Sequence, residues 1–109
     1  METLRQKQSR FAKMVPLLIL YAYELGYEIT LGDAYATTGH MKNSQHYKRL
    51  AIDLNLFKDG KYLEKTEDHR VLGEFWESIG GSWGGRFTDS NGRPKPDGNH
   101  YSIEHYGRK

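Results

Sequence analysis

Near the N-terminus, apolar residues recur at three- and four-residue steps. Leu4, Phe11, Val15, Leu18, Ala22 and Leu25 follow the period of one helix face. Gly26 suits a helix C-terminus. The pattern predicts one amphipathic helix over residues 3–25, kinked or restarted near Pro16, whose ring removes a backbone donor. The period then changes. Residues 27–31 (YEITL) are aromatic and β-branched and predict a short strand. Residues 32–45 are polar and turn-forming. In residues 49–57 (RLAIDLNLF), Leu50, Ile52, Leu54 and Leu56 alternate with Ala51, Asp53 and Asn55. That is a strand with one buried face. Lys58-Asp59-Gly60-Lys61 reads as a hairpin turn into a short return strand at Tyr62-Leu63.

Thr66 is expected to cap a second helix, with Glu67 and Asp68 in its first turn. Its apolar stripe is Val71, Leu72, Phe75, Trp76 and Ile79, and Gly80-Gly81 ends it. Residues 83–87 (WGGRF) predict a short strand, 88–96 a loop and 99–105 a last strand. The order of elements predicts an α+β fold: a small antiparallel sheet with flanking helices, in a single domain over residues 1–109.

Composition narrows the function classes. At 109 residues there is room for one small core. An aromatic content of 13% argues against disorder. Sixteen Lys and Arg against 14 Asp and Glu leave a net charge of +2, too balanced for a nucleic-acid binder. Residues 15–23 (VPLLILYAY) follow a basic stretch, as in a signal peptide, but Glu24 comes next and no small-residue cleavage site does. The run is also too short to span a bilayer, so no membrane insertion is expected. Cysteine is absent, which excludes disulfides and thiolate metal sites. A metal held by His and carboxylates remains possible; the His residues are His40, His46, His69, His100 and His105.

Asp53 is the first oddity, because a carboxylate in mid-strand must be solvated, paired or metal-bound. A wet sheet face would satisfy it equally well. His46 lies seven residues earlier, at the mouth of that strand. A second group is Asp97-Gly98-Asn99-His100, where a turn-forming pair separates an acid from an imidazole. By itself it is also consistent with a turn acid beside a surface His. His69, in the first turn of the second helix, is expected to be solvated, and His40 to be a loop residue. Together, two His and one Asp could hold a catalytic zinc and leave one position for water, with a nearby carboxylate as base.

Ser44-Gln45-His46, Ala51-Ile52-Asp53-Leu54, Trp83-Gly84-Gly85 and Asp97-Gly98-Asn99-His100-Tyr101 follow one another in the chain. This series resembles the D-alanyl-D-alanine carboxypeptidase family of zinc peptidases. The family includes vancomycin-resistance peptidases and the L-alanyl-D-glutamate endopeptidases of phage endolysins, and the small phage enzymes look most similar. The resemblance implies the Hedgehog/D-Ala-D-Ala peptidase-like fold. It implies Zn2+ held by His46, Asp53 and His100, with Asp97 as catalytic base. It also implies a supporting hydrogen bond from Ser44 and packing of Trp83 beside the site. The expected substrate is the stem peptide of peptidoglycan. The expected enzyme is a monomer made in the host cytoplasm that acts on the bacterial cell wall.

Three positions depart from the family pattern. Ala36 stands where many relatives carry an Arg that binds a substrate carboxylate, which leaves Arg86 as a candidate replacement cation, and the loop over 37–43 is short. Arg49 stands where many carry Gly. Glu104-His105 offers a rival ligand set. His100 and His105 are an odd number of positions apart and face opposite sides of a strand, and His100 is favoured because Asp97 precedes it by three.

Overall fold

A computed structural model describes residues 2–34 and 48–105. Ser44, His46, Ala36 and His40 therefore lie outside the described residues. The first element is α1 (Leu4–Glu24). It begins with a reciprocal cap: the Thr3 hydroxyl accepts from the Gln6 N–H at 3.1 Å, and the Gln6 side-chain oxygen accepts from the Thr3 N–H at 2.9 Å. The helix runs through Pro16 without restarting. Ala12 and Pro16 are both exposed, so the missing bond falls on the solvent side, where water satisfies the carbonyl. Phe11, Met14, Leu18 and Ala22 form the buried stripe.

Among the described residues five strands follow: β1 (Glu28–Leu31), β2 (Ala51–Lys58), β3 (Lys61–Leu63), β4 (Ser82–Trp83) and β5 (His100–Ser102). All pairings are antiparallel, in the order β1-β2-β5-β4. The β3 strand pairs with the C-terminal half of β2, and β5 with its N-terminal half. From Ile52 onward the alternation of β2 is as the sequence predicts: Ile52, Leu54 and Leu56 are buried, while Asp53, Asn55 and Phe57 are half-buried. Ala51, expected on the open face, is buried as well. Asp59 and Gly60 turn the β2–β3 hairpin with φ of 53° and 78°. Two successive left-handed residues match the twist of the flanking strands.

The second helix starts differently from expectation. A 3-10 turn (Thr66–His69) precedes α2 (Arg70–Ser78). Thr66 does not cap it. The Asp68 carboxylate accepts from the Lys65 N–H at 3.2 Å instead. The predicted strand over 83–87 is also shorter, because after Trp83 the chain enters a 3-10 turn at Gly84–Arg86. The last strand ends at Ser102. Leu18, Leu54, Leu56, Leu72 and Trp76 form the centre of one core between the helices and the sheet, and all are fully buried. This is the α+β architecture that the sequence predicts. Among the described residues, no helix is long and apolar enough to cross a membrane.

His69 corrects another expectation. It is 1% exposed, and its Nδ1 lies 2.7 Å from the Tyr101 hydroxyl. The 3-10 turn directs it inward among charged neighbours that face water.

Candidate metal centre

Asp53 and His100 are direct partners in the β2–β5 ladder. Opposed residues of an antiparallel pair project from the same face. The His100 Nδ1 lies 3.7 Å from the Asp53 Oδ1. Asp53 is also embraced from the β1 side: its carbonyl accepts from the Gly32 N–H at 2.8 Å, and its N–H donates to the Asp33 carbonyl at 2.9 Å. Two residues thus oppose one, as in a bulge. A Cβ at position 32 would stand 2.9 Å from the Asp53 carbonyl oxygen and 3.1 Å from its Cβ. Glycine there leaves room for the Asp53 backbone and Cβ.

Asp97 arrives through a turn. The His100 N–H donates to the Asp97 carbonyl at 3.1 Å, closing a four-residue loop around Gly98 and Asn99. The Asp97 N–H donates to the Gly84 carbonyl at 2.8 Å, and the Trp83 indole donates to the Gly98 carbonyl at 2.7 Å. A Cβ at position 84 would fall 2.1 Å from the Asp97 carbonyl oxygen. The Trp-Gly-Gly segment therefore serves as the seat of the Asp97–His100 turn. Phe87 completes it, with its ring 5.0 Å from the His100 imidazole.

Asp53, Asp97 and His100 converge: one ligand atom from each lies within 4.8 Å of the others. Asp53 is half-buried, Asp97 exposed and His100 buried. A carboxylate and an imidazole brought this close are donors that suit zinc, so Asp53 and His100 fit that metal. An exposed Asp97 beside two more enclosed donors is also placed to meet water and substrate.

His105 and Arg86 have partners of their own. The His105 Nδ1 is 2.9 Å from the Lys7 amine. Its pKa is lowered by burial and then by Lys7 and Lys48. The Arg86 guanidinium bonds Glu77 at 3.0 and 3.1 Å and lies over the Trp83 ring at 5.1 Å, so α2 takes up its charge. Arg49 adopts φ 58°, in the left-handed region, which explains physically why glycine suits that position. The supporting roles of Gly32, Gly84 and Phe87 carry no chemical signature in the sequence. The only hint was the unusual Trp-Gly-Gly run itself.

A family model described as D-alanyl-D-alanine carboxypeptidase matches residues 38–103, more than half of the chain. The protein belongs to that family of zinc peptidases. No curated protein matches the chain significantly.

Proposed function

We propose that this protein is a zinc-dependent peptidoglycan peptidase of endolysin type that cuts the L-alanyl-D-glutamate bond of the stem peptide. The convergence of Asp53, Asp97 and His100, within a chain of this family, is the observation that carries the reading. His46, Asp53 and His100 would hold the metal, with Ser44 as a supporting hydrogen-bonding group. Bound there, zinc would supply Lewis acidity toward the peptide carbonyl and lower the pKa of water to about 7. Asp97 takes the proton of the attacking water on its carboxylate and passes it to the leaving amine. Trp83 and Gly84 hold Asp97 in place for both transfers.

The substrate reading follows the small phage enzymes that the sequence resembles. It places the protein as a monomer, made in the host cytoplasm, that acts on the cell wall. Mass spectrometry of digested peptidoglycan tests it. New amino-terminal glutamate is expected. Released D-alanine would show a D-alanyl-D-alanine carboxypeptidase instead. Ala36 favours a second reading, a zinc-stabilised and catalytically silent wall-binding module. If wild type and Asp97→Ala lyse walls equally poorly with zinc bound in both, the enzyme reading fails.

A further inference from the structure

A buried polar pair lies beneath His100. Tyr101 is fully buried, its hydroxyl is 2.7 Å from the His69 Nδ1, and the two rings lie 6.0 Å apart. The His69 ring also bonds the backbone carbonyl of Leu63. A carbonyl only accepts, so the imidazole donates to Leu63. The other nitrogen of the neutral ring, Nδ1, then accepts from the Tyr101 hydroxyl. Burial pushes the His69 pKa down to about 4, so the ring is neutral at pH 7.

The chain of bonds crosses the core from the end of β3 to β5. Tyr101 sits in both ladders of β5, opposite Ile52 on one side and Trp83 on the other. Successive residues on a strand point to opposite faces. His100 therefore projects toward Asp53 while Tyr101 projects inward to His69. Any slide or roll of this three-residue strand moves both side chains together. A buried hydroxyl and imidazole are costly to desolvate, and an apolar pair could fill the same space without that cost. What the polar pair adds is direction, because a hydrogen bond fixes both distance and angle.

We propose that His69 and Tyr101 are positioning residues for the metal centre: their hydrogen bond sets the depth and tilt of β5, and so the aim of His100 at Asp53. The inference rests on the reading of Asp53 and His100 as zinc ligands. Zinc affinity of the whole chain, measured by chelator competition, tests it alongside melting temperature. Tyr101→Phe and His69→Leu are each expected to weaken zinc binding about 10-fold, the low end of losses at groups that orient metal ligands. His69→Asn puts an amide oxygen where Nδ1 was, and is expected to restore affinity to within about threefold of wild type. Lower melting temperatures with unchanged zinc affinity would overturn the inference and leave the pair a plain core contact. Tyr101→Phe removes a single oxygen and carries the test if His69→Leu fails to fold. A wild type that binds no zinc removes the underlying reading and this one with it. A zinc-binding wild type whose variants bind zinc with the same affinity removes this one alone.

Discussion

The indole N–H of Trp83 reaches the carbonyl of Gly98 at 2.7 Å, one residue past Asp97. Trp83 is 1% exposed, so this bond forms away from water and its loss leaves a buried carbonyl short of a donor. Trp83→Phe keeps much of the ring but deletes the bond. Stability is expected to fall by about 1–3 kcal/mol. Wall-lytic activity is expected to fall further than stability accounts for, by about 10-fold or more, because Asp97 loses its seat. Denaturant melts and turbidity assays on the same preparation separate the two effects.

Gly84→Ala is a sharper probe. The added methyl meets the Asp97 carbonyl oxygen at 2.1 Å and the His100 Cβ at 2.8 Å, far inside contact distance. The Asp97–His100 turn must then lift away from β4. Overpacking of this kind costs about 1–3 kcal/mol. Zinc binding and lysis are expected to drop together. A Gly84→Ala protein with wild-type zinc affinity would show that the turn tolerates displacement.

Arg49 precedes β2 with φ 58°. An L side chain in that region carries about 1 kcal/mol of strain that glycine lacks. Arg49→Gly is expected to be neutral or to raise the melting temperature by a few degrees. A drop of several degrees would mean that the Arg49 side chain contributes more than its backbone costs.

His69 gives the protein an acid-sensitive component of stability. Its pKa is about 4 in the fold against an ordinary 6.5, because burial disfavours the charged ring. The unfolded chain therefore takes up a proton between those values that the folded chain does not. Stability falls as pH drops from about 6.5 to 4, by up to about 3 kcal/mol from this residue. His69→Asn cannot titrate. Its stability is expected to decline less over that window, measured by urea unfolding at pH 7, 5.5 and 4.5. Parallel curves for both proteins would exclude the effect.

The regular elements were legible because they rest on local pattern. The α1 stripe, the alternation of β2 and the Asp59-Gly60 turn each need only neighbouring residues. Asp53 was visible as a polar residue out of place among Leu50, Ile52 and Leu54. The 3-10 turns were not legible, since Thr66, Glu67 and Asp68 spell a helix start equally well. Nor was the burial of His69, whose flanking acids look solvated and whose partner Tyr101 is 32 positions away. The Trp-Gly-Gly run looked like a short strand, because the reason for Gly84 is the close approach of the Asp97 carbonyl from a later segment.

The ladder between β2 and β5 also bears on timing. Asp53 and His100 are separated by almost half of the chain and become neighbours only when β5 closes on β2. Contacts so distant in sequence form late, after the entropy of closing the loop between them has been overcome. The Asp53–His100 pair is thus absent from nascent and half-folded chains. Completion of the sheet therefore sets the moment at which the two side chains come within reach of one another.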